Sequence, residues 1–187
     1  MIDRKLFIFD LDGTLVETYG SIPLPGVVDR LADLVAKGQS IAVATNQAGV
    51  AWRIWTRKPH YPTAASLGQR FGGIAAQVPA LEQAPWYIAI YDERVKLDEA
   101  AYGELSRELS AAAPSLRLIP SAEPDWRKPA PGMLLAACTS AQIDPTAAVF
   151  VGDMETDADA ATAAGVAYIH PTAFFAAPTS QIENHLK

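Results

Sequence analysis

The hydrophobic and polar positions of the chain follow two periods that alternate along most of its length. Short apolar runs predict strands buried on both faces, at residues 5–10, 40–45, 86–91, 147–151 and 166–169. Apolar residues at helical spacing predict helices at residues 26–38, 62–81, 97–113, 131–143 and 155–164. Residues 116–119 fit either a short strand or a loop, and residues 46–61 predict an irregular segment rich in Trp and Arg.

Short strands that alternate with helices indicate a parallel sheet covered on both faces. Right-handed crossovers place the carboxyl ends of the strands at one edge, where ligands bind near the point at which the strand order reverses. We therefore predict an α/β fold, a doubly wound, Rossmann-like parallel sheet with helices on both faces. A length of 187 residues fits one domain, and no stretch has the pattern of a large separate cap, so we predict a single domain over residues 1–187.

Composition and charge narrow the class of protein. Hydrophobic residues make up 50% and charged residues 19% of the chain, which supports a sizeable core. The formal net charge of −6 argues against a dedicated nucleic-acid binder. Cys138 is the single cysteine, which excludes an internal disulfide and a multi-cysteine zinc site. Without a leader-like or bilayer-length apolar stretch, we expect a cytoplasmic protein with no membrane partner.

Two aspartates follow the first predicted strand, in the sequence DLDGT of residues 10–14. In an extended chain, residues i and i+2 point the same way, so Asp10 and Asp12 face one site. Two carboxylates ~4 Å apart repel each other by roughly 1–4 kcal/mol. A hard cation such as Mg²⁺ relieves that repulsion. A turn is the plain alternative, because Asp-Gly between apolar residues is also a hairpin signal.

Further polar residues stand where predicted strands end or a helix begins. Thr45 and Asn46 offer a hydroxyl and an amide to phosphate oxygens, and Lys128 offers a cation. Asp153 offers another metal ligand, with Asp157 beside it. Each has an ordinary explanation as a cap, a first-turn acid or part of a solvated loop. Because all are expected at one edge of the sheet, a shared chemical site is the stronger interpretation.

These segments match, in order, the four motifs of the haloacid dehalogenase (HAD) superfamily. The motifs are DLDGT, Thr45 in TNQ, Lys128 in RKP, and GDMETD at residues 152–157. The chain resembles the phosphatase branch of that superfamily over nearly its whole length. TNQAG together with RKPAPGM resembles a narrower group, which holds histidinol-phosphate phosphatases, heptose bisphosphate phosphatases and the phosphatase domain of polynucleotide kinase/phosphatases. The resemblance implies Mg²⁺-dependent hydrolysis of a phosphomonoester through a phosphoaspartate, with a minimal cap or none.

The resemblance also implies a role for each matching residue. Asp10 would attack phosphorus, and Asp12 would protonate the leaving oxygen and later deprotonate the hydrolytic water. Thr45, Asn46 and Lys128 would hold the phosphoryl group.

The metal ligands implied by the resemblance come from two motifs. Magnesium would be bound by Asp10, by the backbone carbonyl of Asp12 and by Asp153. Asp157 would support this site through water.

Two stretches depart from the pattern of the narrower group. Heptose bisphosphate phosphatases often carry a cysteine-rich zinc loop before the RKP motif, whereas residues 92–126 contain no cysteine. This argues against zinc there and against the heptose as substrate. The arginine that follows TNQ-x-G in those relatives is displaced by one position, to Arg53. We predict that Arg53 and Arg127 contact the substrate.

The sequence leaves the substrate open. Residues 52–61, WRIWTRKPHY, interleave basic and aromatic side chains. Such a segment fits a rim around a small phosphorylated molecule, a surface for single-stranded nucleic acid, or a loop packed on the body. We predict a small phosphorylated metabolite, with a polynucleotide 3′-phosphatase as the alternative.

Two rival classes use similar residues without hydrolysis. A receiver-like, phospho-accepting domain does not call for the second aspartate of DLDGT or for GDMETD. A non-catalytic binding scaffold would not need every catalytic position filled, as it is here. Within enzymes, a phosphomutase is a further alternative, but it would need a cap that closes the site against water.

Overall fold

The computed structural model describes residues 5–95 and 97–176. Within these ranges the chain forms six β-strands and seven α-helices. The strands are β1 (Leu6–Phe9), β2 (Ser40–Asn46), β3 (Pro85–Ala89), β4 (Arg117–Ser121), β5 (Ala148–Val151) and β6 (Ala167–Ile169). The helices are α1 (Val27–Ala36), α2 (Gly49–Thr56), α3 (Ala64–Gln77), α4 (Glu99–Ala112), α5 (Gly132–Ala141), α6 (Glu155–Ala164) and α7 (Pro171–Ala176).

The six strands form one parallel sheet in the order β4-β3-β2-β1-β5-β6. The chain builds outward from β1 to β4 and then crosses to the other side of β1 to add β5 and β6. Strand β1 is therefore paired along both edges, with Phe7 opposite Ile41 in β2 and Val149 in β5. Because the strand order reverses here, the ligand-binding crevice of such a sheet opens at the carboxyl end of β1.

Strand β1 also shows how the sheet is buried on both faces. Phe7 and Phe9 lie in a core formed with α1, α3, α4 and α7, whereas Leu6 and Ile8 lie in a core formed with α5 and α6. Successive side chains of a strand point to opposite faces, so an uninterrupted apolar run fits a strand covered by helices on both sides. The predicted doubly wound α/β fold is confirmed.

Helix α3 is capped and packed closely, and it matters because it faces the site described below. Thr63 accepts a hydrogen bond from the Ser66 N–H at 3.0 Å and donates its own N–H to Ser66 Oγ at 2.9 Å. This reciprocal capping box satisfies two N–H groups at the start of the helix. At Gly68 an added Cβ would lie 2.5 Å from the carbonyl oxygen of Leu109, so glycine lets α4 pack against α3.

Two parts of the sequence prediction change. The irregular segment predicted over residues 46–61 is wrong, because Gly49–Thr56 forms α2 with Val50 buried against the core. The ambiguous residues 116–119 belong largely to β4, which is an edge strand in the described sheet. An edge strand tolerates Pro120 because one of its sides needs no N–H donor. None of the helices in the described ranges has the length and apolar character needed to cross a bilayer.

Candidate active site

Asp10 comes directly after β1, at the point where the strand order reverses. Its backbone N–H donates to the Val151 carbonyl oxygen at 2.8 Å, which ties it to the end of β5. The residue is only 6% exposed. Burial raises the pKa of Asp10 to about 6, although Lys128 opposes the shift and Asp157 adds to it. The carboxylate thus lies in a poorly hydrated site, close to a cation and to a second acid.

Lys128 joins these acids. Its Nζ atom lies 2.5 Å from Asp10 Oδ1, 2.7 Å from Asp157 Oδ1 and 3.1 Å from the Ala44 carbonyl oxygen. An ammonium group has three hydrogens to donate, and these three oxygens can accept all of them. Burial lowers the pKa of Lys128, but the two carboxylates outweigh this effect and raise it. A charged ammonium is therefore held at the carboxyl end of β1.

Three carboxylates gather at this edge of the sheet. Asp10, Asp153 and Asp157 each offer one oxygen within 4.8 Å of the others. Asp153 Oδ1 is buried and has no hydrogen-bond partner among the described residues, and burial raises the pKa of this side chain. Gly13 has a φ of +80°, and a Cβ there would lie 2.7 Å from Asp153 Cγ. Clustered carboxylate oxygens, one of them unpaired, fit a hard cation such as Mg²⁺.

The loop after β5 is fixed by hydrogen bonds on both sides. Asp157 Oδ2 accepts the Met154 N–H at 3.0 Å and so caps α6. The Tyr168 hydroxyl on β6 donates to the Gly152 carbonyl oxygen at 2.7 Å. The direct contact between Asp157 and Lys128 is an addition to the role predicted for Asp157, which was support of the metal through water.

The carboxylate of Asp12 stands apart from this cluster and is held by four hydrogen bonds. Oδ1 accepts from the Tyr19 N–H at 2.8 Å and from Arg70 Nη2 at 2.6 Å. Oδ2 accepts from Gln47 Nε2 at 2.8 Å and from Arg70 Nη1 at 3.4 Å. The predicted metal contact of Asp12 uses its backbone carbonyl, so these side-chain contacts leave that prediction as it stands.

Thr45 and Asn46 end β2 beside Asp10. Thr45 is buried, and its hydroxyl accepts from Gln47 Nε2 at 3.0 Å. The side chain of Asn46 donates to the Lys128 carbonyl oxygen at 3.0 Å and accepts from the Lys128 N–H at 3.1 Å. Asn46 therefore orients the RKP segment, and its contact with a phosphoryl oxygen stays a prediction.

The two arginines predicted to contact substrate have partners outside the carboxylate cluster. Arg53 Nη1 donates to the carbonyl oxygens of Pro59 and Tyr61, each at 2.8 Å. These bonds hold the segment that follows α2 against the helix. Arg127 Nη1 donates to the Tyr91 carbonyl oxygen at 3.3 Å. Both contacts stabilise local structure, and substrate binding by either arginine stays a prediction.

The aromatic segment at residues 52–61 packs partly on itself and partly on the loop after β3. Trp52 stacks on Tyr61 with ring centres 6.1 Å apart, and Arg94 lies 4.5 Å above the Trp52 ring. Arg94 also pairs with both oxygens of Asp92, at 2.9 and 3.0 Å. This arrangement links α2 to the loop that follows β3.

Sequence reasoning missed Gln47 and Arg70. Gln47 belongs to the TNQ motif, so its place after β2 could have indicated a site residue. Arg70 lies on α3, 58 residues from Asp12, and nothing in the helical pattern distinguishes it from a solvent-facing arginine.

Comparison with known proteins identifies related chains. Residues 125–170, which contain Lys128, Asp153 and Asp157, match the HAD-hydrolase-like family model. The D-glycero-beta-D-manno-heptose-1,7-bisphosphate 7-phosphatase of Pseudomonas putida is 30% identical over 169 residues, which cover 86% of this chain and 78% of that protein. The Escherichia coli K12 protein of the same name is 31% identical over 165 residues, which cover 84% of this chain and 73% of that protein.

A solved structure shows the same fold. It is a chain from Mesorhizobium loti described as a HAD-like phosphatase, with a TM-score of 0.56 and 22% identity, and the match covers 87% of this chain and 69% of that one. Given the fold, the order of the four motifs and the level of identity to the P. putida and E. coli proteins, the chain belongs to the haloacid dehalogenase superfamily and is a phosphoric monoester hydrolase of its phosphatase branch.

Proposed function

We propose that this chain hydrolyses the phosphomonoester of a small phosphorylated sugar, with Mg²⁺ bound and with Asp10 as the nucleophile. One observation carries the proposal, namely the placement of Asp10 at the reversal of strand order. There its Oδ1 lies 2.5 Å from Lys128 Nζ, in a cluster with Asp153 and Asp157. The residues proposed as nucleophile, cation and metal ligands therefore lie together at the position where this kind of sheet binds ligands.

The proposed reaction has two steps. In the first, a carboxylate oxygen of Asp10 attacks phosphorus, the bond from phosphorus to the ester oxygen breaks, and Asp12 gives a proton to that oxygen so that the alcohol leaves. In the second, water gives a proton to Asp12 and attacks the same phosphorus. The bond from phosphorus to Asp10 then breaks, inorganic phosphate leaves, and both aspartates return to their starting states.

Uncatalysed phosphate-monoester hydrolysis is very slow, and enzymes accelerate it by up to ~10²¹. Much of that acceleration comes from neutralising charge on the phosphoryl group. Lys128 and the Thr45 hydroxyl would contact the transferring phosphoryl oxygens. Asp10, the backbone carbonyl of Asp12 and Asp153 would hold Mg²⁺, and Asp157 would support the site through water. When bound, the ion would neutralise charge on the phosphoryl group.

The substrate class rests on the relatives. The similar P. putida and E. coli proteins are named for a heptose bisphosphate, which supports a phosphorylated sugar. In this chain, α4 and β4 lie between β3 and the RKP motif, and residues 92–126 contain no cysteine. Because the missing cysteines argue against the heptose itself, we propose a sugar phosphate in general, and the heptose bisphosphate becomes one substrate to be tested.

The test is phosphate release from a panel of phosphomonoesters, measured with Mg²⁺ and with EDTA. The panel holds heptose 1,7-bisphosphate, hexose phosphates, histidinol phosphate and a 3′-phosphorylated oligonucleotide. We expect Mg²⁺-dependent release, with a sugar phosphate preferred. Preference for the oligonucleotide would replace the sugar with the alternative of a polynucleotide 3′-phosphatase.

Two matched variants test the nucleophile. Asp10→Asn should abolish turnover, because an amide cannot form the phosphoenzyme. Asp159→Asn makes the same chemical change at an exposed position on α6 and should leave turnover intact. Wild-type turnover by Asp10→Asn in the same assay would refute the assignment.

A further inference from the structure

Arg70 on α3 contacts both the carboxylate of Asp12 and the chain that follows it. The Nη2 atom lies 2.6 Å from Asp12 Oδ1, Nη1 lies 3.4 Å from Oδ2, and Nε donates to the Gly20 carbonyl oxygen at 2.8 Å. The ion pair is largely shielded, with side chains 15% and 18% exposed. One guanidinium group therefore fastens α3 to Asp12 and to the turn at residues 17–20.

This geometry restricts the direction of the Asp12 side chain. The five N–H donors of arginine form a rigid planar fork, so a two-point contact orients the plane of a carboxylate as well as its position. Gln47 Nε2 approaches one of these oxygens from the residue after β2, and the Tyr19 N–H approaches the other from the turn. Arg70 supplies the contact that reaches both oxygens.

We propose that Arg70 is a positioning residue for proton transfer by Asp12. The proposal rests on the function proposed above, in which Asp12 gives a proton to the leaving oxygen and later takes one from water. A proton donor must lie within about 2.6–3.2 Å of the oxygen that it serves, so a carboxylate that rotates freely loses much of its effect. Arg70 acts through Asp12 and touches no reacting atom.

The first readout is the dependence of kcat/KM on the leaving group. An alkyl phosphate needs a proton on its leaving oxygen, whereas 2,4-dinitrophenolate leaves without one. General acid catalysis is worth roughly 10²–10⁴-fold, so Arg70→Gln should lower kcat/KM for an alkyl phosphate by about 10²-fold. For 2,4-dinitrophenyl phosphate, kcat/KM should change by less than about threefold, since it reports only the steps up to release of the phenolate.

The second readout is a burst. Because Asp12 also takes the proton of the hydrolytic water, the phosphoenzyme of Arg70→Gln should be hydrolysed slowly. We expect a burst of dinitrophenolate close to the enzyme concentration, with the phosphoenzyme accumulating. Asp12→Asn should show the same pattern, and the double variant should lose no more than Asp12→Asn alone, because two residues that act as a unit are not additive.

Gln77→Ala is the matched control. Gln77 also links α3 to the chain after Asp12, since its Nε2 donates to the Ser21 carbonyl oxygen at 2.9 Å, but its hydrogen bonds do not include Asp12. The proposal is supported if Gln77→Ala has the kinetics of the wild type while Arg70→Gln shows both the leaving-group dependence of kcat/KM and the burst. If Arg70→Gln does not fold, Arg70→Lys keeps the charge without the fork and should show the same leaving-group pattern with a smaller loss.

Several results would overturn the assignment. Equal losses on both substrates would mean that Arg70 has a structural or substrate-binding role, and additive losses in the double variant would mean that it acts apart from Asp12. If wild-type enzyme hydrolyses dinitrophenyl phosphate while Asp10→Asn does not, the proposed function stands whatever Arg70 does. Failure of wild-type enzyme on both substrates would remove the proposed function and this inference with it.

Discussion

The Nζ atom of Lys128 lies 2.5 Å from Oδ1 of Asp10, although 118 residues separate the two in the sequence. The side chains are only 3% and 8% exposed. Buried ion pairs contribute little net stability, because both groups lose their hydration, yet removal of one partner leaves a buried charge uncompensated. We therefore infer that this ion pair holds charge at the position where the phosphoryl group is proposed to bind, and that it adds little to stability.

Replacing this ammonium group should affect both catalysis and folding. In Lys128→Met, kcat should fall by roughly 10²–10³, as when one donor to a transition state is lost. Without Mg²⁺ the free energy of unfolding should fall by about 3–5 kcal/mol, because Asp10 and Asp157 lose their cation. Steady-state phosphate release and urea unfolding measure the two effects.

Lys37→Met is the control for that variant. Lys37 pairs with Asp33 on the surface of α1, with both side chains more than 40% exposed. Such pairs are worth about 0.3–0.5 kcal/mol, so stability should change by no more than that and kcat should not change. If Lys128→Met and Lys37→Met had the same kcat and the same free energy of unfolding, the role assigned to Lys128 would be contradicted.

Asp153 tests the metal site without any assay of turnover. Asp153→Asn should weaken Mg²⁺ binding, measured by titration calorimetry, by at least ~10-fold, the lower end of the loss expected when even an indirect metal contact is removed. The exposed Asp159→Asn should bind Mg²⁺ like the wild type. Equal Mg²⁺ affinity in all three proteins would place the metal elsewhere.

Two glycines should respond in opposite ways to alanine. Gly13 has a φ of +80° and no room for a Cβ beside Asp153, so Gly13→Ala should lose roughly 1–3 kcal/mol and weaken Mg²⁺ binding. Gly73 lies inside α3, and a Cβ there meets nothing within 4 Å. Gly73→Ala should therefore gain about 0.5–1 kcal/mol. Thermal unfolding compares them, and a gain in Gly13→Ala would contradict the crowding described here.

Asp92 should contribute to stability in a way that depends on pH. Its hydrogen bonds with Arg94 hold the pKa of this carboxyl well below its usual range. A carboxyl group whose pKa is lowered by folding stabilises the protein above its unfolded pKa, near 3.9, and that contribution is lost as the pH falls towards the folded value. Asp92→Asn should therefore have a lower Tm than wild type at pH 7, by a margin that shrinks below about pH 4. Glu93→Gln, at an exposed neighbour, should show no such trend.

Local sequence predicted the fold and the main acids because both follow from simple rules. The run that precedes Asp10 is apolar at every position, which only a strand covered on both faces permits, and the parallel order then sends each strand end to one edge. Asp153 was placed by the same rule, since it follows β5 as Asp10 follows β1.

Other features depend on distant contacts and escaped the sequence. Helix α2 contains Trp52, Ile54 and Trp55, which are weak helix formers, and its first turn has no side-chain cap, so local preference did not reveal it. Arg70 has a distinctive position only because α3 packs beside the chain after β1. Asn46 was expected at phosphate, and its contacts with the Lys128 backbone show that a motif residue can also hold another motif in place.

The central position of β1 in the sheet affects which part of the protein unfolds last. Hydrogen bonds from both neighbours protect this strand, so its amides should exchange with deuterium only when most of the protein unfolds. Asp10, the proposed nucleophile, therefore directly follows a strand that is hydrogen-bonded along both edges. The turn at residues 17–20, by contrast, carries an 88% exposed Tyr19 with a backbone φ of 59°, so its amides should exchange sooner than those of β1.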